Sequence, residues 1–419
     1  MAMLGPLVVV TEHSAADLID VLGKAGAFPI VEASFANAPA AIAEIRPAAL
    51  VLADAAPWPV GPAGNALVKA IEIRGGPFMP VFARINAESE MAFPSALPIG
   101  ADEPASRLVA RLRSALRVRA LHATVLRRTG ATANGRTLPP SLLDHATVLC
   151  MGRGRSYPAL TTAIGERVGL IGALSVETAA RYLNARDIDG LVIGDGFGPR
   201  VVEALLTVLA EDARFRDLPV GLFGGAGAGV DNERLPNLIR REGRPARLID
   251  HLLPLVQLKA FESHLKRMLK SVESDGTVDP ETGLLSRDAF WRDLDRAVRE
   301  TENGGGALSV ARFSFDEIDR RTSIDAARLF SRLVREIDFA CREQDGAIIA
   351  AFTETDLRSA HVVARRLASA LMHTMLSLGN DRRTTPTITL ATLKPTDDLS
   401  TLVARVGTYP KVAVSGRRA

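Results

Sequence analysis

Arg335 and Asp338 form an Arg-x-x-Asp tetrad whose side chains could bind a nucleotide. The tetrad opens the stretch REIDFACREQDGAI. A guanidinium can fork onto a phosphate or onto the O6/N7 edge of guanine, and a carboxylate can accept hydrogen bonds from guanine N–H groups. We expect a helix over LFSRLVREIDFACRE (329–343), which would place both side chains on one face. The pair is therefore a candidate ligand-binding site.

The tetrad alone is weak evidence, because it is common in this chain. The sequence contains 51 lysines and arginines and 48 acidic residues. Most copies are expected to be solvated i,i+3 pairs, each stabilising by roughly 0.3–0.5 kcal/mol. The copies begin at Arg186, Arg214, Arg247, Arg292, Arg335 and Arg342. Only the surrounding sequence can distinguish a functional copy from the others.

Two further acidic residues follow apolar segments of strand character. Asp54 follows ALVLA and Asp195 follows GLVIG, and each precedes a loop that contains proline or glycine. Ligands of open α/β sheets bind at the C-terminal ends of the strands. Both carboxylates are therefore candidates for chemistry at the edge of a sheet.

Short apolar segments alternate with helical stretches over residues 1–125. One helical stretch is SAADLIDVLGKAG (14–26), for which Ser14 is the expected N-cap and Gly26 the stop signal. Continuous apolar strands that alternate with helices predict a parallel sheet covered on both faces. The predicted strands cover residues 7–12, 28–33, 49–55, 78–84 and 96–100.

The same pattern returns later in the chain. GLVIGDGFGP (190–199) repeats ALVLADAAP (49–57), and LPVGLF (218–223) repeats MPVFAR (79–84). A repeat of this length indicates two domains of one fold. The sequence therefore predicts two α/β domains with parallel sheets, followed by a third segment without a repeat partner.

Two segments set the expected domain boundaries. RRTGATANGRTLPPS (127–141) has no apolar period and predicts a linker. Residues 246–273 keep apolar side chains at a spacing of three to four and predict an amphipathic helix, which Pro254 would kink. This helix can close the second domain or form the seam of a homodimer. The predicted division is a first domain over 1–126, a linker over 127–144, a second domain over 145–273 and a third domain over 274–419.

The two repeated domains resemble the flavodoxin-like receiver domains of response regulators. The resemblance places Asp54 and Asp195 at the phospho-acceptor position. A receiver also needs a Mg²⁺-binding acidic pair, a hydroxyl residue and a lysine. The residues at or near those positions are Glu12, Ile85 and Glu103 in the first copy, and Gly152, Arg153, Gly224 and Arg244 in the second. Both domains are therefore interpreted as receiver-shaped packing modules, with Asp54 the better candidate for a phospho-acceptor.

The third domain resembles the GGDEF domain of diguanylate cyclases. DPETGLLSRDAF (279–290) departs from the entry signature of that family, Asp-x-Leu-Thr-Gly-Leu-x-Asn-Arg-x-x-Phe, at Glu281 and Ser286. FTETD (352–356) matches the Leu-Pro-x-Thr-Asp that follows the catalytic loop. The resemblance covers about residues 275–419, and two receivers before such a domain resemble the PleD-type order. The matching signature residues are Asp279, Thr282, Gly283, Leu284, Arg287 and Phe290.

These motif matches align the chain with the GGDEF family, and this register predicts that catalysis is lost. The Mg²⁺-binding Asp of the first strand falls on Arg312, and the two glycines of the catalytic loop fall on Gln344 and Asp345. The metal-binding Asp and the Glu of that loop fall on Gly346 and Ala347. Without two carboxylates no metal pair can activate a 3′-hydroxyl, and without small residues the backbone cannot approach a triphosphate. We expect no cyclase activity, no metal and no cofactor.

The same register places Arg335 and Asp338 at the site where the family binds its product, cyclic di-GMP. A domain that keeps this site and loses catalysis would be a receptor. Two side chains fall short of the roughly 8 kcal/mol of a micromolar site. The rest is expected from stacking between the guanines of a ligand pair and from another basic group, on a second subunit or on a receiver-like domain. The resemblance also implies protein partners at a cell pole, namely an RcdA-like proteolysis adaptor, ClpXP and the cell-cycle regulator CtrA.

Composition excludes several other classes. The net charge is +3, with basic residues scattered among acidic ones, which does not indicate a nucleic-acid surface. No stretch approaches the roughly 20 apolar residues of a membrane helix, and two cysteines fit a reducing cytosol. We therefore expect a cytoplasmic protein. Two alternatives stay open: a response regulator of the diguanylate cyclase family with residual enzymatic or phosphorelay activity, and a scaffold without a ligand.

Overall fold

The computed structural model describes residues 5–407, apart from 55–60, 74–75, 86–95, 101–102, 130–137, 139, 225–233, 273–276, 316–319 and 374–385. The chain forms two compact units. The two-sheet unit contains residues 6–126 and 132–268, and the C-terminal unit contains residues 1–5, 127–131 and 269–419. Half of the predicted linker, residues 130–137 and 139, lies outside the described residues.

A five-stranded parallel sheet forms the first part of the two-sheet unit. Its strands are β1 (Leu7–Val10), β2 (Ile30–Ala33), β3 (Ala49–Leu52), β4 (Val81–Ile85) and β5 (Leu97–Gly100). The order is β2-β1-β3-β4-β5, which is the flavodoxin-like order. Helices of this part are α1 (Ala16–Lys24), α2 (Ala38–Ile45), α3 (Pro62–Ile73) and α4 (Ala105–Thr129). The predicted parallel sheet is confirmed.

The second sheet of this unit repeats the first. Its strands are β6 (Thr147–Met151), β7 (Gly169–Ala173), β8 (Gly190–Ile193), β9 (Val220–Phe223) and β10 (Leu238–Arg241). They are parallel in the order β10-β9-β8-β6-β7, which is the same topology. Helices of this part are α5 (Tyr157–Gly165), α6 (Val176–Ala185), α7 (Pro199–Glu211) and α8 (Pro245–Val272), preceded by a 3-10 helix (Pro140–His145). The internal repeat therefore corresponds to two copies of one fold.

Several predicted element ends differ from the structure. Ser14 does not cap α1, because the N-cap position is Ala15, which has no capping side chain. The predicted strands over 28–33 and 78–84 begin later, directly after Pro29 and Pro80. Proline has no N–H to donate to a sheet, so both strands start at the residue that follows.

The long helix α8 covers the second sheet. A Cβ atom on Gly190 of β8 would approach the Val256 side chain to 2.8 Å, so the helix and the strand are in close contact there. Pro254 lies inside the helix. Its predicted apolar positions within the two-sheet unit are buried, namely Leu248, Leu252, Leu255, Leu258, Phe261 and Leu265. None of the helices formed by described residues is long and apolar enough to cross a bilayer.

Arg111 of α4 joins the two sheets. Its side chain is 2% exposed, and its guanidinium donates to the main-chain carbonyls of Pro236 at 2.6 Å and Leu238 at 3.2 Å. Arg107 donates to the same Leu238 carbonyl at 2.7 Å. Both guanidinium groups pair with Glu103, at 3.3 Å and 3.0 Å. Glu103 is the residue nearest to the position where the receiver resemblance expects a lysine. It pairs with the two arginines that contact the second sheet.

The C-terminal unit is built on a four-stranded antiparallel sheet. Its strands are β11 (Leu308–Ser314), β12 (Phe339–Arg342), β13 (Ile348–Thr353) and β14 (Thr387–Thr392). Its helices are α9 (Arg287–Gly304), α10 (Arg320–Leu333), α11 (Leu357–His373) and α12 (Leu399–Val406). From β11 onward the order of elements is β-α-β-β-α-β, and the strand order is β12-β13-β11-β14. Phe352 packs on one face of the sheet and Ile349 on the other, so both faces are covered.

Candidate ligand-binding site

The Arg335–Asp338 tetrad forms a turn between α10 and β12. The helix ends at Leu333 and the strand begins at Phe339. The main-chain N–H of Asp338 donates to the carbonyl of Arg335, 3.0 Å away. The prediction of one helix over 329–343 is therefore wrong. Residues 339–342 pair with β13, and this long-range pairing requires the chain to leave the helix before Asp338.

The Asp338 carboxyl is buried and held by a neighbouring strand. The residue is 3% exposed, and its Oδ1 accepts a hydrogen bond from the main-chain N–H of Thr353 at 3.0 Å. Burial raises the pKa of Asp338 to about 7, although the Arg335 guanidinium and the Thr353 hydrogen bond oppose this shift. At neutral pH the carboxyl is therefore divided between its neutral and ionised forms.

Arg335 and Asp338 line a cavity of about 480 Å³ in the C-terminal unit. Two more cationic side chains line it, Arg128 and Lys270, together with Glu336. Its other walls are Val278, Gly283, Leu284, Leu285, Ser331, Val334, Phe339 and Ala340. The volume lies in the range of roughly 300–1,000 Å³ that is typical of small-molecule sites. The lining thus carries three cationic side chains and two acidic ones, of which Glu336 is exposed and Asp338 is partly protonated at neutral pH. This excess of positive charge favours an anionic ligand.

Arg128 is held in place by the first helix of the C-terminal unit. Its Nε lies 3.4 Å from Asp293 of α9, and both side chains are nearly buried. The preceding residue, Arg127, pairs with Glu300 of α9 at 3.1 Å. The Arg127 guanidinium also lies 5.1 Å from the centre of the Phe339 ring. The end of α4 is thus fixed beside the start of β12, which positions Arg128 at the cavity.

The entry signature forms a closed turn. The N–H of Asp279 donates to the carbonyl of Leu284 at 2.8 Å, and the Thr282 hydroxyl donates to the Asp279 carboxylate at 2.8 Å. Gly283 adopts a φ of +72°, which only glycine tolerates readily. The Thr and Gly of the signature therefore have a structural role, since they close this turn.

The signature turn also forms one wall of the cavity. The N–H of Leu285 donates to the carbonyl of Ala340 in β12 at 2.9 Å. A Cβ atom on Gly283 would lie 3.2 Å from the hydroxyl of Ser331 on α10. The turn therefore lies against both elements that flank the tetrad, and the motif that identified the register is part of the site.

Sequence reasoning did not identify Arg128 or Lys270. Arg128 belongs to the segment that was predicted as a linker, and Lys270 belongs to the end of α8. Two further basic side chains of the same chain thus line the cavity. The sequence indicated only that further ligand contacts are needed, because the binding energy of the tetrad alone is too small for a micromolar site.

An ion pair occupies the position where the resemblance expects the catalytic metal ligand. The guanidinium of Arg312 on β11 contacts the carboxylate of Asp345 and donates to the Ser314 hydroxyl at 2.6 Å. Among the described residues no group of three or more His, Cys, Asp or Glu side chains could hold a metal ion. The guanidinium thus brings a positive charge to the position where the resemblance expects a carboxylate.

The loop after β12 is a tight turn closed by its own backbone. The N–H of Glu343 donates to the carbonyl of Ala347 at 2.8 Å, and the N–H of Gly346 donates to the carbonyl of Glu343 at 3.1 Å. Gly346 adopts a φ of +85°, as in a hairpin whose turn is followed by a left-handed residue. The Asp345 carboxylate accepts from the N–H of Ala347 at 3.1 Å. Gly346 therefore has a conformational role in this turn.

Asp54 lies just after β3 and is held by the loop that follows β1. Its carboxylate accepts hydrogen bonds from the Thr11 hydroxyl at 2.7 Å and from the main-chain N–H of Glu12 at 2.6 Å. Burial alone would raise the pKa of Asp54, but these hydrogen bonds and the nearby His13 lower it. The Glu12 carboxylate accepts from the N–H of Phe35 at 2.9 Å.

Asp195 lies just after β8 and is enclosed in a similar way. The hydroxyl of Ser156 and its main-chain N–H both donate to the carboxylate, and these bonds lower the pKa of Asp195. The main-chain N–H groups of Arg153 and Gly154 donate to the Asp195 carbonyl at 3.2 Å. A Cβ atom on Gly154 would lie 2.3 Å from the carboxyl carbon. Glycine therefore permits the loop to close over Asp195.

No protein-family model matches the chain, and no curated protein matches its sequence. Solved structures that resemble it are GGDEF domains, which align to about a third of the chain. The coiled coil and GGDEF domain of DgcB from Caulobacter crescentus, in complex with cyclic di-GMP, has 22% identity, covers 35% of this chain and 84% of that chain, and gives a TM-score of 0.30. The FimX GGDEF domain from Pseudomonas aeruginosa has 19% identity, and the alignment covers 31% of this chain and 89% of the FimX domain with a TM-score of 0.29. The active GGEEF domain of a diguanylate cyclase from Vibrio cholerae has 15% identity, and the alignment covers 30% of this chain and 86% of that domain with a TM-score of 0.28.

Proposed function

We propose that the chain is a non-catalytic receptor that binds cyclic di-GMP in the cavity of Arg335 and Asp338. The observation that carries the proposal is the convergence of Arg128, Lys270 and Arg335 on a cavity that also contains a buried carboxyl. The motif resemblance supplies the identity of the ligand, and the chemistry of the cavity agrees with it. Cations can bind the phosphates, and a guanidinium–carboxylate pair can bind a guanine edge.

The energy of such a site is consistent with the groups present. A micromolar dissociation constant corresponds to about −8 kcal/mol, and a charge-assisted hydrogen bond contributes roughly 1.5–3 kcal/mol. Arg335 and Asp338 alone would not exceed the cost of association. Arg128 and Lys270 add two further charge-assisted contacts, so that four side chains can hold the ligand.

Asp338 acts in its ionised form. A carboxylate can accept from both guanine N–H groups, whereas a neutral carboxyl has lost part of that capacity. The cationic Arg335 and the Thr353 hydrogen bond favour the ionised form against the effect of burial. Binding of a guanine therefore draws a proton off Asp338 at neutral pH.

The absence of catalysis is the second part of the proposal. The ion pair of Arg312 with Asp345 and the closed turn at Gly346 support it, since neither position offers a metal ligand. The test is incubation of purified protein with GTP and Mg²⁺ or Mn²⁺, followed by mass-spectrometric detection of cyclic di-GMP. An active diguanylate cyclase processed in parallel is the control. Product formation above that of a no-enzyme blank would contradict this part.

The ligand is proposed to control binding of protein partners. The order of two receiver-like domains and a GGDEF-like domain resembles that of PopA, a catalytically inactive paralogue of PleD. By that resemblance the partners are an RcdA-like adaptor, ClpXP and CtrA, and the protein acts at a cell pole in cell-cycle-regulated proteolysis. Capture of the adaptor by wild-type protein should require cyclic di-GMP and should be lost in Arg335→Ala.

A thermal-shift titration of the wild-type chain tests the receptor directly. A ligand that binds only the native state at 100 times its dissociation constant stabilises by about 2.7 kcal/mol. Cyclic di-GMP should therefore raise the melting temperature by several degrees, and GMP at the same concentration should not. An unchanged melting temperature at saturating cyclic di-GMP would favour the scaffold without a ligand.

A further inference from the structure

A second cavity, in the two-sheet unit, has about the same size as the Arg335 cavity. Its volume is about 500 Å³, and it lies beside the C-terminal end of α6, the start of β8 and the middle of α8. Four cationic side chains line it, namely Arg186, Arg214, Lys259 and Lys266. This cavity takes no part in the site proposed above or in the surroundings of Asp195.

Arg186, which lines the second cavity, is the first residue of another Arg-x-x-Asp tetrad, whose Asp189 lies behind the cavity wall. Arg186 ends α6, and Asp189 directly precedes β8, as Asp338 directly precedes β12. Asp189 is 6% exposed, and its Oδ2 accepts from the main-chain N–H of Thr147 at 3.0 Å. In each tetrad the arginine lines a cavity, while the aspartate is buried and bonded to the backbone of a neighbouring strand.

Two of the cations of this cavity are guanidinium groups stacked on aromatic rings. Arg186 lies 5.6 Å from the ring centre of Tyr182, and Arg214 lies 4.9 Å from that of Phe215. Arg214 also pairs with Asp212 at 2.7 Å, on the protein surface. A planar guanidinium in this setting can stack on a purine and still donate hydrogen bonds from its edge.

The lysines of this cavity share one acid. Lys259 and Lys266 lie 2.8 Å and 3.0 Å from Glu262, so two ammonium groups face one carboxylate. Lys259 and Glu262 are largely buried, with 17% and 21% of their side chains exposed, whereas Lys266 is 41% exposed. A phosphate bound in the cavity can share both ammonium groups with Glu262.

Acceptors for a base are also present. Asp187 lines the cavity and is exposed. Ser263 lines it as well, and its hydroxyl donates to the Asp189 carboxylate at 3.2 Å. Asp187 can thus accept hydrogen bonds from guanine N–H groups. Asp189 already accepts from the main-chain N–H of Thr147 and from the Ser263 hydroxyl.

We propose that this cavity is a second binding site for a guanine-containing cyclic dinucleotide. The phosphates bind Lys259, Lys266 and Arg214, and one guanine binds Arg186 and Asp187. The class of ligand rests on the proposed function, whereas the site rests on its own cations, volume and tetrad. The chain would then bind the same messenger in both of its compact units.

Calorimetric titration of the full chain with cyclic di-GMP tests the second site. Arg186→Ala should bind about half as many ligand molecules per chain at saturation as wild type, and the remaining affinity should change less than twofold. Arg181→Ala, at an exposed position of the same helix, is the matched control and should bind as wild type. Lys266→Gln should weaken the same sites as Arg186→Ala.

The outcomes separate this inference from the proposed function. If Arg186→Ala and Lys266→Gln bind as many molecules as wild type with unchanged affinity, the second site is wrong, and the Arg335 site is unaffected. If Arg335→Ala binds as wild type while Arg186→Ala loses binding, the proposed function is wrong at its named site and the second cavity is the receptor site. If Arg186→Ala and Arg335→Ala each lose about half of the binding, both sites are supported.

Discussion

Asp338 accepts a hydrogen bond of 3.0 Å from the main-chain N–H of Thr353, at a position that is 3% exposed. Thr353 is the last residue of β13 and also donates its hydroxyl to the carbonyl of Ile337 at 2.9 Å. The turn that carries the tetrad is therefore tied twice to the end of a central strand. This connection fixes the carboxyl in place, and the same burial brings its titration into the physiological range.

Asp338→Asn should change the pH dependence of stability. The pKa of Asp338 is raised from 3.8 to about 7 in the folded protein, so the native state binds more protons than the unfolded state between these values. The free energy of unfolding should therefore fall by about 1.4 kcal/mol per pH unit across this window, through this group alone. Asparagine keeps the acceptor for Thr353 and does not ionise. The variant should equal wild type near pH 4 and be more stable above pH 7.

Urea denaturation at several pH values measures this difference. Subtracting the variant from the wild type removes the contributions of all other groups. A difference that does not change between pH 4 and pH 8 would show that Asp338 has an ordinary pKa.

Affinity for cyclic di-GMP should rise with pH around neutrality. Only the ionised fraction of Asp338 is competent, and with a pKa of about 7 this fraction grows about tenfold between pH 6 and pH 8. The apparent dissociation constant of the Arg335 site should fall by the same factor. Titrations at both pH values should show this change in wild type, whereas Asp338→Asn, which cannot ionise, should bind weakly at both values with a much smaller change. An equal pH dependence in the two proteins would assign the effect to other groups.

Arg111→Met should destabilise the two-sheet unit. The guanidinium is buried and donates to two main-chain carbonyls of the second sheet, Pro236 and Leu238. Loss of the cation removes the donor to the Pro236 carbonyl and leaves Arg107 as the remaining partner of the Leu238 carbonyl and of Glu103, which should cost about 3 kcal/mol. Arg113→Met, on the exposed side of the same helix, should change stability by about 0.5 kcal/mol or less. Equal denaturation midpoints of the two variants would contradict this role of Arg111.

The two parallel sheets could be predicted from the sequence, because apolar strands alternate with helices twice and the second copy repeats the first. Arg335 was chosen among the six tetrads because of the signature over 279–290, and its role as a ligand-binding residue stays a prediction. The turn at Arg335 could not be predicted, since local apolar spacing favours a longer helix. Only the pairing of β12 with β13 makes the chain leave the helix there. Arg128 and Lys270 could not be identified either, because each comes from the end of a helix distant in sequence. Their role depends on how the C-terminal unit packs.

Asp54→Asn should leave cyclic di-GMP binding unchanged within twofold. The Asp54 carboxylate is held by Thr11 and Glu12, and Glu103 is engaged with Arg107 and with a buried arginine of α4. The position at which the receiver resemblance expects a lysine therefore holds an acid that is already paired with two arginines. Labelling with acetyl phosphate, measured in wild type and Asp54→Asn, checks the acceptor. Labelling that disappears in the variant together with an altered affinity would restore the phosphorelay alternative.

A titration of Arg335→Ala with cyclic di-GMP measures whether Arg335 binds the ligand. Loss of a charge-assisted contact of at least 1.4 kcal/mol corresponds to tenfold weaker binding. The affinity of the Arg335 site should therefore fall at least tenfold in Arg335→Ala. Arg292→Ala, in a tetrad on the exposed side of α9 outside the family register, should bind as wild type. Equal affinities and stoichiometries for wild type and Arg335→Ala would contradict the account and return Arg335 to the role of a surface residue.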